Sequence, residues 1–241
     1  MKTSNKLLLT AILIIVVSMV TYDLALRAEY RKGTYKSRFY GMDKTSVLSG
    51  FTTINNRAAN LISIQVEQGS DQGVWVKSEW KDRIKISRNG MALVIEAADK
   101  QATHLSPYQN SITIICPSLE KVITSPFVAA KGGEEGNYSH GSIFIKGFNL
   151  ENLDLKIAKS IDIYLENNKI NSLKAIVGDD KSRDARLDIS SNNHFNYAEI
   201  TVAGMNQLQI QSPVIDKSNF NISDSAQLFL SKSSLKMFQN R

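Results

Sequence analysis

Residue types that usually mark chemistry are scarce in this chain: 241 residues include one cysteine, three histidines and four prolines. A single cysteine, Cys116, excludes an intramolecular disulfide and any multi-cysteine zinc site. It closes the run Ile112-Thr113-Ile114-Ile115-Cys116-Pro117, which reads as a strand end, so a small buried side chain is expected there. His104, His140 and His194 stand far apart in loop-like surroundings, whereas zinc needs several converging ligands. No metal and no cofactor is expected. The most glycine-rich stretch, residues 131–141, lacks the Gly-Lys-Ser/Thr ending of a phosphate-cradling loop and reads as an excursion between strands.

A spread of positive charge is missing too, although the net charge is +6. Residues 1–47 hold eight Lys/Arg against three Asp/Glu, and the remainder of the chain holds 21 against 20. A nucleic-acid surface needs basic residues clustered on a folded face. Here the excess lies at the amino-terminal end, so nucleic acid is excluded as a partner.

What is present begins with Lys2 and Lys6, followed by the uncharged run of residues 7–22 and then Leu24-Ala25-Leu26. Together these approach the ~20 residues that a membrane span requires. Neither Ser18-Met19-Val20 nor Asp23-Leu24-Ala25 supplies the pair of small residues that a signal peptidase site wants, and no cysteine follows for lipid attachment. The expectation is an uncleaved single-pass anchor over residues 1–26 and a basic spacer over residues 27–47. Arg27, Arg31, Lys32, Lys36 and Arg38 would by the positive-inside rule hold the carboxyl side in the cytoplasm. The six residues before the run leave no room for a functional domain on the other side, and the reading adopted puts the anchor in the inner (cytoplasmic) membrane with the domain extracytoplasmic.

Residues 48–241 read as an all-β domain built on a repeat. Ile143 and Ile145 are followed by Ile163 and Leu165, Leu187 and Ile189, Leu208 and Ile210, and Leu228 and Leu230. A second series runs from Leu153, Leu155 and Ile157 through Leu173 and Ala175 and through Ile200 and Val202 to Phe220 and Ile222. Steps of 20 and 21 residues with apolar and polar positions alternating describe stacked, half-buried strands. Two such strands per step form one coil of a parallel β-helix, a solenoid of about 20 residues per coil. Asparagines recur at the turns, with Asn152, Asn171 and Asn192 spaced by 19 and 21 and Asn149 and Asn168 by 19, as a stacked amide ladder would require.

Three segments carry a family resemblance: Gly50-Phe51-Thr52-Thr53-Ile54 with Ile62-Ser63-Ile64-Gln65-Val66-Glu67-Gln68-Gly69; Asn89-Gly90-Met91-Ala92-Leu93-Val94-Ile95; and Ile112 to Val122 with its Pro117-Ser118-Leu119. From about Ser49 onward the chain resembles the auto-transporter adhesin, head GIN domain family. The resemblance implies a right-handed β-helix exposed in the bacterial cell envelope. The Gly-Ile-Asn-like segment that should follow the Pro-x-Leu block is absent.

Two candidate sites remain. In Val74-Trp75-Val76-Lys77 the valines face inward by strand alternation, so Trp75 should point outward, to stack on a sugar, to anchor a partner or to pack under the neighbouring linker. It is the binding residue expected. Asp179, Asp180, Asp184 and Asp188 lie where the 20-residue spacing lapses, and only their convergence in a groove would supply the paired carboxylates of polysaccharide cleavage. An inserted polar turn explains them without catalysis. The sequence therefore reads as a membrane-anchored, adhesin-like binding or scaffolding protein of the envelope, not an enzyme, with an envelope glycan or protein as ligand. The alternative is a polysaccharide-active β-helix enzyme.

Overall fold

The computed structural model of the chain describes residues 3–45, 49–98, 110–128 and 140–235; the glycine-rich stretch 131–139 and His104 lie outside them. The chain divides into two compact units, Met1–Met42 and Asp43–Arg241. The first holds helix α1, Thr3–Lys32, without a proline or glycine. Its most apolar window has a mean hydropathy of 2.3, and the helix is long and apolar enough to cross a membrane. Thirty residues extend about 45 Å, beyond the ~30 Å hydrocarbon core. The polar last turns carry the surplus, braced by an Arg27–Asp23 ion pair at 2.9 Å. Gly33, with φ of 66°, ends the helix in the left-handed conformation that a side chain would resist.

The second unit is made of strands β1 Met42–Thr45, β2 Thr53–Asn56, β3 Ser63–Gln68, β4 Gly73–Lys77, β5 Ile84–Asn89, β6 Ala92–Ala97, β7 Asn110–Cys116, β8 Lys121–Thr124 and β9 Gly141–Lys146. They continue as β10 Asn149–Ile157, β11 Ile161–Glu166, β12 Lys169–Val177, β13 Arg183–Ile189, β14 His194–Val202, β15 Met205–Ile210, β16 Val214–Ile222 and β17 Gln227–Leu230. They form a nine-stranded sheet, β1-β4-β7-β3-β9-β11-β13-β15-β17, and an eight-stranded sheet, β16-β14-β12-β10-β8-β2-β6-β5. The basic spacer thus ends as a strand of the larger sheet.

From β9 onward the chain alternates between the two sheets, and each strand pairs in parallel with the one two places along. Register follows the apolar pattern. Ile143, Ile163, Leu187 and Leu208 are successive partners, all fully buried. In the smaller sheet Leu155, Ala175, Ile200 and Phe220 do the same, while Leu173 sits beside Ala198. The inner strands show one apolar face to the interior, and stacking removes it from water, a gain of roughly 25 cal/mol per Å² of apolar surface, whereas the last strand, β17, has no buried residue and leaves Leu228 38% exposed.

The amino-terminal half departs from the uniform parallel coil expected over residues 48–241. β4 runs antiparallel to β7, and β5 antiparallel to β6, so both sheets are mixed. The reason lies in the turns. Asn89 pairs with Ala92, leaving a two-residue connection in which Gly90 has φ of 59°. So short a turn can only reverse the chain, because a parallel crossover needs a dozen or more residues.

The asparagine ladder exists with Asn168 and Asn171 among its members but with other partners than expected. Asn149 is the partner of Lys169 and Asn152 of Ser172. The buried amides that stack are Asn168 and Asn193, joined at 3.0 Å. An exposed series, Asn196 to Asn171 to Glu151, runs along the outside of the smaller sheet.

Candidate functional site on the outer face of the nine-stranded sheet

Strand alternation turns Asp162 and Tyr164 of β11 outward between buried Ile161, Ile163 and Leu165. Parallel pairing sets Ser142 and Phe144 of β9 on one side and Arg186 and Asp188 of β13 on the other. Phe144 and Tyr164 stack with centroids 4.7 Å apart and ring planes 9° from parallel. The Arg186 guanidinium lies over the Tyr164 ring at 5.2 Å. It donates to Asp162 Oδ2 at 3.0 Å and also to the Tyr164 hydroxyl, which itself donates to Asp162 at 3.2 Å.

This cluster is the middle of a longer row. Register partners in sequence are Trp75, Thr113, Gln65 and Phe144, then Tyr164, Asp188, Gln209 and Phe229. Eight side chains on eight adjacent strands, ~4.8 Å apart, form a line of roughly 34 Å across the sheet. Aromatic rings and hydrogen-bonding groups share it. Phe229, at the last strand, is 49% exposed.

Trp75 stands on this face, as alternation requires, and of the roles open to it the structure shows packing under the neighbouring linker and not an exposed binding indole. It is only 6% exposed, because Lys44 of β1 lies over its ring at 4.8 Å. The spacer strand covers it. The absent side chain of Gly73 makes room beneath, since a Cβ there would meet the indole at 2.7 Å.

The four aspartates do not converge. Asp179 builds its own turn, accepting from the Lys181 N–H at 3.0 Å while its N–H donates to Ser182 Oγ. Asp180 and Asp184 are exposed, and Asp184 sits with φ of 64° in the irregularity between Arg183 and Arg186. Asp188 joins the outward cluster, where its carboxylate accepts from Gln211 Nε2 at 2.9 Å, and the charge of Asp184 acts on His140 at the cluster's margin. The apolar series runs across this 24-residue step, from Ile163 and Leu165 to Leu187 and Ile189, but the sequence reading followed only the buried positions and left the outward Asp162, Tyr164, Arg186 and Asp188 ungrouped.

The environments of the two carboxylates differ. Burial pushes the Asp188 carboxyl above its ordinary range, opposed by the Arg186 charge and the Gln211 hydrogen bond. Asp162 is held by Arg186 and lies 3.5 Å from His140 Nδ1. That contact raises the His140 pKa, while burial works against it. Burial also raises the Tyr164 phenol. Among the described residues no group of three or more His, Cys, Asp or Glu is placed to hold a metal ion. His194 lies on the other sheet, 3.5 Å from Asp216.

No family model and no curated protein matches the chain. Solved structures do. A crystal structure described as a putative adhesin from Parabacteroides distasonis is 13% identical, aligns over 78% of this chain and 71% of its own, and gives a TM-score of 0.58. A second, a putative adhesin from Bacteroides fragilis, is 14% identical over 79% of this chain and 96% of its own, with a TM-score of 0.52. At these identities the likeness is one of fold.

Proposed function

We propose that this protein is a membrane-anchored binding protein of the bacterial cell envelope that holds a glycan along the outer face of its nine-stranded sheet. The observation carrying the proposal is the part of the row that the spacer strand leaves uncovered, from Gln65 through Phe144 and Tyr164 to Phe229, in which ring surfaces and polar side chains lie at strand spacing. A polymer of polar rings needs both kinds of contact, at regular intervals and along one direction. The hydrogen bonds among Asp162, Tyr164 and Arg186 fix those side chains before any ligand arrives, which lowers the ordering cost of binding.

In this reading α1 is an uncleaved anchor in the inner membrane, the domain is extracytoplasmic, and residues 141–230 are coils of a right-handed parallel β-helix. The resemblance to head GIN domains and the fold likeness to the two bacterial neighbours support the β domain of this reading, and the length and apolar composition of α1 support its anchor. The opposite sheet offers a contrasting surface: Lys121, Asp154, Lys174 and Glu199 are successive partners, an alternating charge ladder suited to solvent.

The test uses the full chain in lipid nanodiscs, with retention on immobilised envelope glycans as the readout. Tyr164→Ala should weaken retention by roughly 30-fold, the scale of an interface anchor worth about 2 kcal/mol, and Lys174→Ala should leave it unchanged. Equal retention by all three proteins overturns the assignment of this face.

A second reading, a polysaccharide-active enzyme, is favoured by one observation: Asp162 and Asp188 share the face, the first ion-paired with Arg186 and the second raised by burial above its ordinary range. Release of shorter oligosaccharides that falls ~10²–10⁴-fold in Asp188→Asn would establish it in place of simple binding.

A further inference from the structure

A groove of about 470 Å³ lies at the edge of the strand stack, apart from the outward row of the larger sheet. Its origin is an insertion. Partners in the smaller sheet are 20 residues apart from Asn149 to Lys169 and again from His194 to Val214, but 25 apart from Lys169 to His194. Part of the excess falls between Ile189 and His194, where the turn is longer than the two-residue turn between Glu166 and Lys169. The offset is 24 residues at Leu165 and Ile189 and 25 at Lys169 and His194, so this turn holds one residue more than its neighbour, and Ser191 and Asn192 stand exposed as one wall of the groove.

The floor is rigid. Phe148 and Asn193 are 1% and 2% exposed, and both are tied to Asn168, the Phe148 N–H donating to its Oδ1 and the Asn168 side chain donating to Asn193 Oδ1, each at 3.0 Å. The rim is less committed. Asn192 Oδ1 accepts from the Asn167 N–H at 3.0 Å, which leaves its amide nitrogen for another partner. Lys169 has no acidic partner among the described residues, unlike Lys146 and Lys174, each held 3.6 Å from a glutamate. The side-chain amide of Asn149 is likewise available among the described residues. His194 Nε2 is buried without a hydrogen bond, 3.5 Å from Asp216.

We infer that this groove is a separate binding site for a sugar carrying one carboxylate, such as a uronate unit. Its volume falls within the ~300–1,000 Å³ of small-ligand sites. Lys169 is the uncommitted charge, and a carboxylate answers it with a charge-assisted hydrogen bond. The amides of Asn149 and Asn192 and the Ser191 hydroxyl are the groups that sugar hydroxyls pair with. Asp216, beside His194, opposes a second negative charge and so disfavours a phosphate dianion. This site stands independently of the sheet face, since none of its residues belongs to that row.

Saturation-transfer NMR on the full chain in nanodiscs decides the matter, with an oligoglucuronate and the matching neutral glucose oligomer as probes. The oligoglucuronate should bind at least 10-fold more tightly, Lys169→Met should abolish that preference, and Lys169→Arg should restore most of it. Tyr164→Ala should have no effect, which separates the failure of this site from failure of the sheet face. Equal binding of the two probes, absence of binding, or an unchanged preference in Lys169→Met overturns the inference.

Discussion

The side chain of Asn168 donates to Oδ1 of Asn193 at 3.0 Å across 25 residues of sequence, with both amides out of contact with solvent. Asn168 also donates to the Ile145 carbonyl and accepts from the Phe148 N–H, so it satisfies backbone groups in the adjoining turn. Asn168→Ala leaves those groups buried and unpaired, at about 1–3 kcal/mol each, so a loss on the order of 3–5 kcal/mol is expected. Asn171→Ala, at an exposed amide, should stay within about 0.5 kcal/mol. Urea unfolding of the detergent-solubilised chain compares them. Equal midpoints would show that the buried amides are dispensable.

A charge inside the stack should cost a similar amount. Ile163 is fully buried between its partners Ile143 and Leu187. Ile163→Asp isolates a carboxylate from water and from any cation, and destabilisation of roughly 3–5 kcal/mol follows. Ile163→Val removes one methylene and should cost about 1 kcal/mol. Thermal melts that rank the two variants the other way round would refute the register.

The carboxyl-terminal half was legible because its apolar alternation and its spacing of about 20 residues both arise from one repeated packing environment. The pairs Ile143 with Ile163 and Leu208 with Leu228 follow directly from that spacing. The amino-terminal half was not, since the alternation of β4 or β5 reports which face is buried and is silent on strand direction. Trp75 illustrates a further limit. Alternation placed it on the outer face and packing under the linker was among its expected roles, but which linker residue covers it, Lys44, 31 positions earlier, is not written in the local pattern. The Asp162, Tyr164, Arg186 and Asp188 cluster escaped detection for a different reason: the insertion beside it supplies the more conspicuous Asp179, Asp180 and Asp184. The apolar series already aligns Leu187 with Ile163 and Ile189 with Leu165, and carrying the flanking polar residues along with it pairs Asp162 with Arg186 and Tyr164 with Asp188.

Cys116 offers a probe of local opening. It is free and fully buried, and burial pushes its thiol up to about 12, so almost no thiolate exists at neutral pH. Alkylation requires both exposure and the thiolate. Iodoacetamide should leave the folded protein unmodified for hours at about pH 8 and label it rapidly in denaturing urea. Rapid labelling of the folded chain, read by mass spectrometry, would mean that β7 opens readily.

The pH dependence of stability should carry two separable contributions of one sign. His140 has its pKa raised above the ordinary 6.5 by its contact with Asp162, so the folded state binds that proton more tightly. The resulting stability is fully present below 6.5 and is lost as pH rises through the higher folded value. Asp188, raised from 3.8 chiefly by burial, behaves alike in a more acidic window: it favours the folded state below 3.8 and ceases to do so as it ionises within its half-apolar surroundings. Ion-paired carboxylates elsewhere oppose this trend, so the informative quantity is the difference between variant and wild type. His140→Gln should flatten the decline of Tm above about pH 6.5 and leave the acidic limb alone, whereas Asp188→Asn should remove the decline at lower pH and raise Tm near neutrality. Because half of the His140 surroundings is solvent, its effect should be the smaller and should shrink with added salt. Melting curves from about pH 4 to pH 8 that superimpose for wild type and His140→Gln would break the link between this histidine and Asp162.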